Sequence, residues 1–349
     1  MPELQEKLDA LLARHYAATT PGAVLLLTKE DKVTYQGHCG LADVVSKAAI
    51  TADTTFRLAS VSKQFTAMCL HLLAQQQRIN LQDELGFHFP ELAHLGSVRL
   101  WHLLCHTSGL PDFEEHIPAQ QTAQLTDEEV LEITAAQPSL LFPAGTQFRY
   151  SNTGYVLLGL LVERITSMGY DDFLQEHIFR PLHMHRSTLY RANTTIPNRA
   201  MGYAADGAGS FILADQSLGS ATRGDGCIYT SATDYLKWHR ALTQLPLFNI
   251  TNQLNTYYTQ IDSVDAWRYG MGWFQERLFT GQHLLLHSGD TCGFTNLVIR
   301  QQEPDLLFAC FSNIANNQPF LQELLQVLAE FSDFLPPSDL VWQLPWLTR

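Results

Sequence analysis

Apolar residues recur at helical spacing through most of the chain, and in short strand-like runs near its two ends. Leu4, Leu8, Leu11 and Leu12 share one face of an opening helix. "PGAVLLLTKEDKVTYQGHCGLAD" follows, where two apolar runs flank Lys29-Glu30-Asp31 and predict a hairpin near residues 23–39. Val61, Phe65, Met68 and Leu72 predict a helix from about Ser60 to Gln77. Further helices are expected over 126–137, where Thr126 and Glu129 have capping-box spacing, and over 152–169. Residues 226–242 predict a turn and then a helix capped near Ser231 or Thr233. "GQHLLLHSG", "GFTNLVIRQQ" and "DLLFACFSN" read as three strands joined by tight turns. "PFLQELLQVLAEFSDF" is a closing helix stopped by Pro336 and Pro337.

Strands at both ends with helices between them suggest an α/β protein of the α+β type. One antiparallel sheet would draw on both chain ends and carry the terminal helices. Residues 1–57 and 225–349 would form this sheet lobe, and residues 58–224 a mainly helical lobe, with a site between them. No internal repeat or low-complexity tract interrupts the pattern.

Composition removes several function classes. At 349 residues and 46% hydrophobic, the chain can bury a large core. No apolar stretch reaches the roughly 18 residues that a membrane helix needs. The opening residues lack the basic and apolar blocks of a signal peptide, so a cytoplasmic location is expected. A net charge of −13 and no basic run argue against nucleic acid as a partner. The six scattered cysteines form no CxxC pair and are expected to be reduced thiols. Only six lysines stand against sixteen arginines, which gives weight to any lysine in a suggestive place.

Three short motifs carry candidate chemistry. Ser60 and Lys63 lie one turn apart, so the lysine can accept the serine's proton or lower its pKa. Tyr150 and Asn152, in "FRYSNTGY", are spaced to aim two polar tips into one cavity. His287, Ser288 and Gly289 close a late strand, where a glycine lets a ligand backbone approach closely. Each alone has a plain structural explanation: a cap, a buried tyrosine, a strand end.

Together they form an ordered set: Ser-x-x-Lys, Tyr-x-Asn about ninety residues on, then His-Ser-Gly. The chain therefore resembles the serine β-lactamase and DD-peptidase superfamily. It looks most like the branch of class C β-lactamases, DD-carboxypeptidases, D-aminopeptidases and family VIII-type esterases. "LLCHTSGLPDF", "FPAGTQFRYSNTGYVLLG", "IFRPLHM" and "YGMGW" support this, and the likeness spans roughly residues 20–315. The resemblance implies an acyl-enzyme hydrolase without cofactor or metal, acting on a small-molecule or peptide substrate. Ser60 would be the nucleophile, with Lys63 and Tyr150 moving protons. Asn152, His287, Ser288 and Gly289 would bind substrate, and the N–H groups of Ser60 and Asp290 would form the oxyanion hole. Oligomeric state stays open.

Two departures bear on the substrate. His287 stands where class C enzymes usually carry lysine, and a neutral imidazole is a weak anchor for a carboxylate. Asp290 stands where relatives often have a small residue, and its carboxylate would repel anions. Neutral or cationic acyl donors are therefore expected: a D-amino-acid peptide or a small ester. The alternatives are a β-lactamase proper and a non-catalytic homologue that uses the cleft for binding. His102, Cys105 and His106, in "HLLCHTSG", fall in a stretch of the resemblance whose relatives need no metal, and are not expected to bind one. His183 and His185 read as surface residues, Cys292 as packing, and the glycosylation patterns at Asn193 and Asn249 as incidental.

Overall fold

The computed structural model describes residues 2–192, 194–261, 267–278, 283–303, 305–331, 335 and 338. Asn193, Pro336 and Pro337 lie outside the described residues, as does the end of the expected closing helix.

The expected hairpin forms as Ala23–Lys29 and Lys32–Cys39. The three late strands form as His283–Thr291, Phe294–Gln301 and Leu306–Ser312, all antiparallel. Ala23–Lys29 then pairs with Leu306–Ser312, which joins the two chain ends in one sheet. Val24, Leu26, Cys310 and Phe311 are buried, as the near-continuous apolar runs require of strands covered on both faces. Three strands that the apolar pattern did not signal extend the sheet: Thr259–Gln260, Trp267–Gly270 and Trp273–Arg277. They are short and mixed in polarity, so their pairing rather than their composition defines them. The finished sheet has eight strands among the described residues.

The opening helix, Pro2–His15, buries its four leucines and packs against the closing helix, Gln318–Ala329. Tyr16 and Phe320 meet at 4.9 Å, and Asn317 Nδ2 donates to Tyr16 Oη at 2.7 Å. The helix expected over 126–137 spans Asp127–Ala135 and has the reciprocal Thr126–Glu129 capping box. The 152–169 helix spans Asn152–Thr166 and stops where Ser167 turns left-handed at φ 57°. Ser231 caps the helix Ala232–Gln244. The turn expected before it is a strand, Ile228–Thr230, paired with Phe56–Arg57 and Thr188–Leu189.

The helix Lys63–Gln75 is the centre of the molecule. Every residue from Lys63 to Leu73 is buried, polar ones included. Phe65 stacks on Trp238 at 4.4 Å, and Gln64 Oε1 accepts from Tyr235 Oη at 2.7 Å. A buried charge needs hydrogen-bond partners, and those partners fix the position of Lys63.

Candidate active site

The backbone that carries Ser60 is held from both sides. Leu58 N–H donates to the Ile228 carbonyl at 2.8 Å. Ala59 then takes a left-handed φ of 49°, which a non-glycine residue adopts only where its surroundings impose it. Ser60 follows inside a 3₁₀ turn, Ala59–Ser62, that leads into the central helix. The helix expected to begin at Ser60 thus opens with a tighter turn, and no side chain caps it.

Lys63 is fully buried beneath this turn. Its Nζ lies 3.0 Å from Ser60 Oγ, 2.7 Å from Asn152 Oδ1 and 3.0 Å from the Asp225 carbonyl oxygen. Three acceptors match the three donors of an ammonium group. Burial pulls this ammonium down to about 8, against the charges of Asp225, Asp112 and Glu114, which favour its protonated form. Near pH 8 the same nitrogen can therefore hold a proton or accept one.

Asn152 is the first residue of its helix and is fixed by three bonds. Its Oδ1 accepts from Lys63, its Nδ2 donates to Glu114 Oε1 at 3.1 Å, and its backbone N–H donates to Asp112 Oδ2 at 2.6 Å. Tyr150 lies two residues earlier, with the Lys63 Nζ 5.0 Å from its ring centre. His106 packs on that ring at 4.1 Å, and Phe274 stacks beyond it at 6.4 Å. The Tyr150 hydroxyl is buried and lacks hydrogen-bond geometry to any partner among the described residues. Burial pushes the phenol well above 10, and the nearby Ser60 offsets only part of this.

His287 is wholly enclosed rather than set in a cleft wall. Its Nδ1 lies 2.6 Å from the Ser288 carbonyl and its Nε2 3.1 Å from Tyr269 Oη. A carbonyl only accepts, so Nδ1 carries the proton and Tyr269 donates to Nε2. Burial, then the Lys63 charge, lowers this imidazole to about 3. It is neutral at working pH. Ser288 is buried beside it.

Gly289 is where the strand His283–Thr291 meets the Ser60 segment. A Cβ there would fall 2.1 Å from the Leu58 carbonyl oxygen. Gly289→Ala should therefore destabilise the protein by about 1–3 kcal/mol, read as a lower urea midpoint. An unchanged midpoint would mean that the two backbones are not in contact. Asp290 follows at the exposed end of the strand, and its Oδ2 accepts from Gln318 Nε2 at 2.8 Å.

Ser60, Asn152, Asp290 and Thr291 line one cleft of about 610 Å³ together with Glu114. No lysine, arginine or histidine lines it among the described residues. Lys63, Tyr150 and His287 are not among the residues that line it, and Lys63 reaches it through its bonds to Ser60 and Asn152. The motif reading missed Asp112, Glu114 and Asp225. "LPDFEEH" looks like an ordinary solvated acidic stretch, and no periodicity links it to Ser60. His102 and His106 are engaged by backbone: their Nδ1 atoms accept from the N–H groups of Arg99 and Ser151.

A family model described as Beta-lactamase matches residues 8–331. The chain belongs to the beta-lactamase family. Within it, the chain is 26% identical over 333 residues to Penicillin-binding protein 4* of Bacillus subtilis (strain 168), covering 91% of this chain and 73% of that one. It is 25% identical over 342 residues to Protein flp of Staphylococcus aureus (strain MW2), covering 93% of this chain and 66% of that one. Among solved structures it resembles the D-amino acid amidase of Ochrobactrum anthropi SV3 complexed with L-phenylalanine amide. That likeness has a TM-score of 0.77 and 25% identity, covering 94% of this chain and 97% of that one. The family and this neighbour indicate a hydrolase that acts through a serine. As a beta-lactamase family member the chain has the expected fold, an antiparallel sheet flanked by helices with a helical insertion.

Proposed function

We propose that this protein hydrolyses an amide or ester of a D-amino acid, or a related small acyl donor with a neutral or cationic acyl part, through a Ser60 acyl-enzyme. The observation that carries this reading is the Lys63–Ser60 contact at 3.0 Å, opening onto a cleft lined by carboxylates. Neutral Lys63 accepts the Ser60 proton as Oγ bonds to the substrate carbonyl carbon. The N–H groups of Ser60 and Asp290 receive the oxyanion. Collapse breaks the bond to the leaving amine or alcohol, which takes its proton from Lys63. Water then attacks the ester, gives its proton back through Lys63, and frees Ser60. Tyr150 stays protonated in this scheme and relays protons, because burial opposes its phenolate. His287 carries no charge.

The acidic lining supports the acyl preference. Cleft desolvation first, then the neighbouring charges of Asp112 and Asp225, push the Glu114 carboxyl above its usual range. A substrate ammonium beside it would relieve both strains, whereas a substrate carboxylate would add to them. The amidase neighbour, solved with L-phenylalanine amide, points to the same kind of molecule. The site falls between a sheet lobe of residues 1–57 and 225–349 and a helical lobe of 58–224, a division that belongs to this proposal. So does a cytoplasmic location, which all six unpaired cysteines support.

The test is a panel of nitrophenyl esters, D-amino-acid amides and nitrocefin, each run against wild type and Ser60→Ala. Ser60-dependent turnover of amides and esters above nitrocefin supports the proposal. Turnover of nitrocefin alone would make the protein a β-lactamase, and no turnover with no labelling would leave only a binding role. Selectivity gives a finer check. In Glu114→Gln the preference for D-phenylalanine p-nitroanilide over its N-acetyl form should fall about tenfold, the equivalent of about 1.4 kcal/mol. Asp290→Asn should improve kcat/KM for carboxylate-bearing esters relative to matched neutral ones. Unchanged ratios in both variants would remove the electrostatic basis for the preference.

A further inference from the structure

Asn296 lies inside the sheet, on the strand Phe294–Gln301, completely buried and directly opposite Gly289. No step of the proposed reaction uses it. Its side-chain nitrogen Nδ2 donates to the Arg57 carbonyl at 2.9 Å and to the Gly289 carbonyl at 3.3 Å. Arg57 comes three residues before Ser60, and Gly289 comes one residue before Asp290. A single amide group therefore ties the backbone that carries one oxyanion donor to the backbone that carries the other.

The Ser60 backbone is otherwise tied to the strand Ile228–Thr230, where Leu58 N–H donates to the Ile228 carbonyl, and the Asp290 backbone to the strand Phe294–Gln301. The two backbones lie far apart in the sequence and belong to different strands. They touch where Gly289 faces the Leu58 carbonyl, with no room for a Cβ between them. The Asn296 Oδ1 atom is buried and has no hydrogen-bond partner among the described residues. A buried acceptor left unpaired is costly, so packing alone would favour an apolar strand residue at this position. The amide is useful for what its nitrogen holds.

We propose that Asn296 is the positioning residue of the oxyanion hole, setting the distance between the Ser60 and Asp290 N–H groups. This rests on the reading of Ser60 as nucleophile with those two donors. An oxyanion hole acts only when its donors are aimed at the tetrahedral oxygen, and displacements of an ångström or less are felt mainly in the transition state. Loss of the Asn296 amide should thus lower kcat and leave KM nearly unchanged.

The experiment compares wild type, Asn296→Ala, Asn296→Ser and Ser60→Ala on one nitrophenyl ester that wild type turns over. Rates of wild type and the two Asn296 variants are expressed per site titrated with a fluorophosphonate, so that unfolded molecules do not count, and the rate of Ser60→Ala per folded protein. Binding of phenylboronic acid, whose Ser60 adduct mimics the tetrahedral intermediate, is measured in parallel. Asn296→Ala is expected to lose about 10- to 100-fold in kcat and a similar factor in boronate affinity, with KM within about threefold. Asn296→Ser keeps one donor and should recover part of both, and it carries the test if the alanine variant does not fold. Wild-type kcat per titrated site with unchanged boronate affinity would overturn the inference. A rise in KM at constant kcat would overturn it too, since that marks ground-state binding. If Ser60→Ala is inactive while the Asn296 variants match wild type, only the inference fails. If Ser60→Ala stays active, the nucleophile reading itself fails.

Discussion

Ser60→Ala is expected to abolish hydrolysis of p-nitrophenyl acetate and covalent labelling by a fluorophosphonate or penicillin-type probe. The expected loss in kcat is on the order of 10⁴-fold or more, because removing the nucleophile leaves only binding and the oxyanion donors to assist water. Ser60 is the side chain in the cleft that combines access with a buried base, its Oγ being 3.0 Å from Lys63 Nζ. Thr291 and Ser217 also line the cleft. No lysine nitrogen is paired with either hydroxyl among the described contacts. The variant should keep its fold, since Lys63 retains its bonds to Asn152 Oδ1 and the Asp225 carbonyl at 2.7 and 3.0 Å. Melting temperature and near-ultraviolet circular dichroism check this. Labelling that persists in a folded Ser60→Ala protein would transfer the nucleophile to another residue.

Lys63 should set the pH dependence. Below about 8 its amine holds a proton and cannot take the one from Ser60, and above that value it can. The kcat/KM profile is therefore expected to rise with pH and level off through an apparent pKa near 8. His287, lowered to about 3, adds no step near neutrality. Lys63→Ala should remove this limb and lower kcat by about 10²–10⁴-fold. Asp225→Asn tests the electrostatic origin of the value. Burial lowers the Lys63 ammonium and the Asp225 charge is the largest influence raising it, so removing that charge should move the limb to lower pH. A limb that moves upward in Asp225→Asn, or a flat profile in wild type, would contradict the assignment of Lys63 as base.

What could be read from residues alone was what local pattern encodes. The leucine stripe of the opening helix, the hairpin around Lys29–Asp31, the Thr126–Glu129 capping box and the three late strands form close to the expected positions. The reason is that a helix stripe or a buried strand is written in residues a few places apart. The short strands Trp267–Gly270 and Trp273–Arg277 carry no such signal because their identity comes from pairing, the first with the second and the second with the strand His283–Thr291, not from their own composition. Ser60 and Lys63 were legible for the same local reason, as residues one helical turn apart.

The rest was decided by tertiary structure. Spacing places a lysine next to a serine but says nothing of its burial, and burial is what brings its pKa near 8. The sequence offered His287 as a substrate-binding residue; the fold encloses it completely beside Tyr269 and the Ser288 carbonyl, and this burial keeps it neutral. Glu114, Asp225 and Asn296 carried no local signal, because their partners lie 38, 162 and 239 residues away in the chain. The sequence by itself determined the longer elements and the one-turn spacing of Ser60 and Lys63. Only the folded chain determined the charge around that pair and the register of the backbones that meet at it, because electrostatic fields and hydrogen bonds act through space and not along the chain.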